Sequence, residues 1–120
     1  MVNLNTKSIP LWTIRVAAAL GLIMGVVIWP GNADGLILPH VALGAVLSLA
    51  LLVLAYQGFR AGVSPGLVLL AVIWAVALPV LGLTQGIFPD TLAFAVQVFH
   101  LAVGIAAWAL AEVLGRRMAK

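Results

Sequence analysis

The chain contains two histidines, and both stand in apolar surroundings: His40 opens the run HVALG, and His100 opens HLAVG within residues 97–108, QVFHLAVGIAAW. An ionisable side chain inside a membrane span is costly and by default marks a functional site. Both runs read His-x-Ala-x-Gly. In a helix the glycines, Gly44 and Gly104, lie one turn beyond their histidines on the same face. A bare backbone beside an imidazole admits a flat, bulky ligand. Heme is the candidate that suits the pair, because its iron takes two axial imidazoles. On this reading His40 and His100 ligate one heme iron, and Gly44 and Gly104 leave room for the ring. Gln97, one turn before His100, can hydrogen-bond an imidazole, a propionate or water, and it also suits packing or a lipid edge.

Other readings attach to each residue. His40 follows Pro39 near a helix start, where a histidine also caps the helix or meets lipid headgroups. His100 also suits a structural hydrogen bond. Two imidazoles can bind Zn or Cu, but the nearest carboxylates in sequence, Asp34 and Asp90, fall in loops, so no third ligand is in sight. The absence of cysteine excludes disulfides, thiolate metal sites and cysteine catalysis.

The elements that must position the histidines follow from composition. At 65% hydrophobic and 8% charged, with mean hydropathy +1.26, the 120-residue chain lies far outside soluble norms. Its helices need lipid as solvent. Four spans are expected, at about residues 11–29, 37–57, 67–85 and 91–115, in a single membrane domain. Residues 1–10 form a polar lead-in. WPGNADG breaks the first span from the second, and the links AGVSPG and GIFPD are short. The fold class is therefore an all-α integral membrane protein, an antiparallel up-and-down four-helix transmembrane bundle. Gly31-Asn32-Ala33 loosely resembles a signal-peptide cleavage site; a retained first span is the expectation adopted. Pro79 removes a backbone donor inside span three, should kink it and leaves the Ala75 carbonyl unpaired.

Charge sets the orientation. The net charge is +3, yet no basic patch interleaves with aromatics, so nucleic acid is not an expected partner. Lys7, Arg15, Arg60, Arg116, Arg117 and Lys120 all lie at the termini or in the second loop, whereas the first and third loops carry Asp34 and Asp90. The positive-inside rule then puts both termini in the cytoplasm, across an inner (plasma) membrane. Arg15 is expected to snorkel to the near interface, and Glu112 to pair with Arg116 one turn on. Trp12, Trp29, Phe59 and Phe88 read as interfacial aromatics, Trp74 and Trp108 as packing.

The chain also carries an internal two-helix repeat. Span one contains Gly21-Leu22-Ile23-Met24-Gly25 and span three Gly82-Leu83-Thr84-Gln85-Gly86, each followed by the HxAxG of the next span. Fifteen residues separate Gly25 from His40 and fourteen separate Gly86 from His100. GxxxG pairs commonly mark close helix crossings. At roughly 1.5 Å per residue, His40 lies about 30 Å from Arg60 and His100 about 24 Å from Arg116. Both therefore fall in the outer half of the bilayer. Spans two and four are expected to lie diagonally across the bundle.

Between residues 38 and 114 the chain resembles one four-helix half of the heme A synthase family. The likeness lies in a histidine opening the second span, in LPVLGLTQGIFPD before the last span, and in a histidine followed by small and aliphatic residues. The resemblance implies that His40 and His100 are heme ligands. The family's catalytic glutamate and following arginine are replaced here by Ile37 and Val41, and its loop cysteines are absent. It therefore implies a cofactor-type heme b domain.

The expected function is a membrane-embedded b-type cytochrome, with one bis-histidine heme passing single electrons to or from quinol or redox partner subunits. Two alternatives stand beside it: a cofactor-free accessory subunit of a larger membrane complex, and a heme-modifying enzyme acting as a homodimer. Orientation is testable directly. A reporter fused after Lys120 should be active only in its cytoplasmic form; activity confined to the periplasmic form would reverse the topology.

Overall fold

A long apolar segment removed from water must satisfy its backbone donors internally, and a helix does so. The computed structural model describes residues 8–31 and 33–119. Lys7, Asn32 and Lys120, counted above in the lead-in, the first loop and the basic tail, lie outside the described residues, as does most of the lead-in itself. Four long helices follow in order: α1 (Ser8–Ile28), α2 (Ile37–Arg60), α3 (Pro65–Thr84) and α4 (Ala93–Ala119). All four are long and apolar enough to cross a membrane. No strand occurs among the described residues.

Local sequence explains the helix ends. Pro30 and Gly31 stop α1, and Gly31 takes φ +85°, a conformation that favours glycine. The α2 terminus closes on Gly62 at φ +80°, with the amide of Val63 donating to the Gly58 carbonyl and that of Gly62 to Phe59. This is a Schellman closure. Pro65 then occupies the first turn of α3, where its missing N–H costs nothing. Short 3-10 turns at Asp34–Leu36 and Asp90–Leu92 lead into α2 and α4. At the basic end the helices overrun the expected spans, reaching Arg60 and Ala119, because charged side chains end an apolar run without ending backbone hydrogen bonding. α3 continues through Pro79 as one helix.

Successive helices pack side by side, and α1 closes the ring against α4. Short links between neighbours make the helices alternate in direction. Across the bundle α2 also touches α4, whereas α1 and α3 do not meet among the described residues. The cross-section is thus a rhombus with α2 and α4 on its short diagonal.

The core occupies one end. Every buried hydrophobic residue lies in α1 up to Ala18, in α2 from Leu47, in α3 up to Leu78 or in α4 from Val103, the parts adjoining Arg15, Arg60 and Arg116. Ile14, Leu51, Leu54 and Leu114 are completely enclosed there, among Ala17, Ala55, Ala71, Ala107 and Ala111. Alanines at these positions let the backbones approach closely, as van der Waals packing between membrane helices requires. Outward, large apolar side chains such as Leu38, Leu83 and Phe94 remain exposed.

A polar clamp crosses the α1–α4 seam within the filled half. Arg15 does not simply reach for the interface. Its Nε donates to Glu112 Oε1 at 2.6 Å and its Nη2 to Oε2 at 2.9 Å. The expected Glu112–Arg116 partnership gives way to this pair, because a guanidinium fork matches both carboxylate oxygens at once. Trp108 Nε1 donates to the same carboxylate at 3.3 Å, and the Arg15 guanidinium lies 4.6 Å from the Trp12 ring centre. Trp74 ties α3 to α4 by donating to the Val103 carbonyl at 3.1 Å.

Both members of the pair are about 30% exposed, so the clamp is partly screened. Glu112→Ala should lower stability in detergent by roughly 1–3 kcal/mol, the usual scale for hydrogen bonds to charged groups. Adding Arg15→Ala should cost less than the separate effects combined. Strict additivity in a thermal-unfolding cycle would show that the pair contributes nothing.

Candidate functional site

The other half of the bundle is hollow. No residue of α1 beyond Ala18, of α2 before Leu47, of α3 after Leu78 or of α4 before Val103 is fully buried. Between these half-helices lies a cavity of about 390 Å³ with walls from all four helices. That volume falls within the roughly 300–1,000 Å³ usual for small-molecule and cofactor sites. The wall is mostly apolar, and its polar side chains are His40, His100, Gln85 and Gln97. The five residues singled out from sequence, His40, Gly44, Gln97, His100 and Gly104, all line this one cavity.

The two histidines face each other. Their ring centres are 6.2 Å apart and their planes cross at 73°. The short diagonal explains the meeting: α2 and α4 bring His40 and His100 together from opposite sides, while α1 and α3 stand apart. Nδ1 of each ring is buried without a hydrogen-bond partner. A buried polar nitrogen left unpaired costs roughly 1–3 kcal/mol, and such an atom calls for a specific cause. Neither Nδ1 is open to the cavity, so a ligand held between the rings would meet the other nitrogen, Nε2, of each.

The spacing suits a single ion. With metal–nitrogen bonds of about 2.0–2.1 Å on each side, two axial imidazoles stand about 6.3 Å apart centre to centre. Among the described residues no group of three or more His, Cys, Asp or Glu side chains comes together, so a bare Zn or Cu ion would find no third such ligand there. A metal that brings its own equatorial ligands needs only the two imidazoles. Gly44 faces open space, and a Cβ on Gly104 would meet only Leu78 Cδ1, at 3.9 Å. The residues present therefore fit a heme: two imidazoles, an apolar cavity and a bare backbone at Gly44.

The glycine reading needs correction elsewhere. Gly21, Gly25, Gly82 and Gly86 were expected to mark close helix crossings. Gly21 and Gly86 have nothing within 4 Å of a Cβ position. Gly25 and Gly82 are contacted by imidazole: a Cβ at Gly25 would lie 3.3 Å from His40 Cε1, and one at Gly82 3.2 Å from His100 Cε1. The repeat is accordingly out of strict register. His40 rests on the second glycine of its GLxxG and His100 on the first, one helical turn apart.

Sequence reasoning also missed two members of the wall. Trp29, expected at the interface, lines the cavity and packs on Phe94 at 6.0 Å between ring centres. Gln85 joins Gln97 in the wall. The only sequence signal for these was position, just before a loop at the acidic end. Asp34 and Asp90 lie at that same end, exposed, in the turns that open α2 and α4.

Comparison with known proteins adds no relative: no protein family, no curated protein and no solved structure matches the chain. The functional reading stands on the geometry of the site.

The hollow half should tolerate bulk that the filled half does not. Gly44→Ala adds a methyl group to open space and should raise apo-protein stability by about 0.8–1.0 kcal/mol through helix propensity. Gly58→Ala sets a Cβ 3.3 Å from Leu114 Cδ2 and should not. Equal thermal shifts for the two variants in detergent would contradict the distinction.

Proposed function

We infer that the chain is a membrane-embedded b-type cytochrome that holds one heme between His40 and His100 and passes single electrons. The observation that carries this reading is the pair of imidazoles, 6.2 Å apart across an apolar cavity. A heme held by two imidazoles supplies a one-electron couple with no open iron position, which favours electron transfer over oxygen chemistry.

The chain's own residues divide the remaining work. His40 and His100 hold the iron from opposite sides. Gly44 and Gly104 leave room beside them, and the aliphatic wall keeps water from the ring. Gln85 and Gln97 are the neutral hydrogen-bonding groups available to carboxylate edges. The packed half below, clamped by Arg15 and Glu112, holds the two hairpins so that each contributes one histidine. This two-hairpin division of the ligands is what supports the internal-repeat reading and the likeness to a cofactor-type half of the heme A synthase family.

Orientation follows from charge. Arg60, Arg116 and Arg117 at the filled end belong on the cytoplasmic side, and the cavity then lies in the outer half of an inner membrane. Electrons are exchanged near that outer surface, with quinol or a redox partner subunit.

Reduced-minus-oxidised spectra of the purified protein test the reading. Sharp bis-imidazole bands are expected, with low-spin oxidised iron and slow carbon monoxide uptake on reduction. The near-perpendicular rings predict a strongly anisotropic low-spin EPR signal. His100→Ala should abolish tight heme binding, and His40→Ala should leave at best a carbon-monoxide-reactive form. A colourless protein that takes up no added hemin would sink the idea and leave an accessory-subunit role.

A further inference from the structure

A glycine in mid-helix weakens the helix by roughly 1 kcal/mol relative to alanine, so a glycine facing open space on an apolar helix asks for no explanation, whereas one facing a functional side chain does. α1 carries Gly21 and Gly25, and Gly82 near the end of α3 is followed four residues on by Gly86 in the 3-10 turn Gln85–Ile87, which allows comparison within each pair. Gly21 and Gly86 have nothing within 4 Å of a Cβ position. Around Gly25 the atoms within that distance are His40 Cε1 at 3.3 Å and Nδ1 at 4.0 Å. Around Gly82 they are His100 Cε1 at 3.2 Å, Nε2 at 3.6 Å and Nδ1 at 3.9 Å. No backbone of a crossing helix comes so close. These two glycines therefore serve the imidazoles, not a helix crossing.

We propose that Gly25 and Gly82 are positioning residues, bare-backbone seats on α1 and α3 that fix the ring rotation of His40 and His100 for axial ligation. The proposal rests on the cytochrome reading and adds to it the residues that orient the ligands. An imidazole on a helix turns freely about its terminal torsion, which has a broad profile. A hydrogen bond to the second ring nitrogen normally fixes the orientation of a metal-ligating histidine. Here Nδ1 of both rings lacks such a partner, so steric contact along the Cε1 edge takes over that task. The two seats differ. Gly25 meets the Cε1–Nδ1 edge of His40, whereas Gly82 lies nearer the Cε1–Nε2 edge of His100. This difference accompanies the 73° between the ring planes. A methyl group at either glycine would sit closer than nine in ten real Cβ contacts, so the ring, the movable partner, must shift or turn by a few tenths of an ångström.

The test uses Gly25→Ala and Gly82→Ala in the full chain, with Gly21→Ala on α1 and Gly86→Ala in the turn after α3 as controls. With the imidazoles isotope-labelled, NMR of the apo protein in micelles should show Gly25→Ala moving the His40 Cε1–H resonance alone and Gly82→Ala that of His100 alone. The controls should move neither. In heme-loaded protein each seat variant should lose at least about tenfold in heme affinity, the scale of losing a group that orients a metal ligand. Each should also change the anisotropy of the low-spin EPR signal, with the larger effect at Gly82. Histidine resonances that respond equally to seat and control variants, or heme affinity and EPR unchanged in the seat variants, would overturn the proposal. Failure of the unaltered chain to take up heme would sink the cytochrome reading itself, and the apo NMR comparison would still decide whether the glycines seat the rings.

Discussion

Two imidazoles facing each other in an apolar cavity form the constraint around which this fold is arranged. Neutral imidazole carries one donor and one acceptor nitrogen, and hydrocarbon satisfies neither. The rest of the bundle must bring the two rings to one place and keep other side chains from filling the space between them. Two features meet these conditions: α2 and α4 lie on the short diagonal, and the acidic-end halves of the four helices stand apart around a cavity lined by glycines and aliphatic side chains.

Close packing and the cavity are therefore separated along the bundle axis. At the basic end, alanines bring the helices close, four large aliphatic side chains are completely enclosed, and Arg15 with Glu112 clamps the seam between the first and last helices. At the acidic end no side chain is fully buried. In lipid such a bundle would gain little from apolar burial as such, since lipid is as apolar as leucine, and would depend on close packing and interhelical polar bonds. Concentrating those contacts in one half frees the other to keep a cavity of about 390 Å³. The packed half is thus the scaffold and the hollow half the site.

The glycines show how similar motifs take on different tasks. Two of the four in the GxxxG pairs face open space, and the other two back the histidines. A motif usually read as a helix-crossing signal here supplies flat surface to an aromatic edge. Because the effective glycine is the second of one pair and the first of the other, the two hairpins differ by a helical turn. The rings consequently present different edges to their neighbours and stand nearly perpendicular.

Much of this was legible in the sequence. Hydropathy and loop punctuation determined four helices and their order, since each depends only on local chain chemistry. The shared His-x-Ala-x-Gly pattern identified four residues that line one cavity, and Gln97, one turn before His100, is a fifth, because residues one turn apart on a helix share a face whatever the helix packs against. Only the tertiary structure decided which face of each helix turns inward. These helices are apolar all round, so no stripe in the sequence marks the buried side. Hence Arg15 found Glu112, 97 positions away, rather than open interface. Gly25 and Gly82 proved to be the occupied members of their pairs, and Trp29 turned into the cavity wall. Each of these depends on how a helix is rotated about its own axis, a quantity set by packing against its neighbouring helices and invisible in any local stretch of the chain.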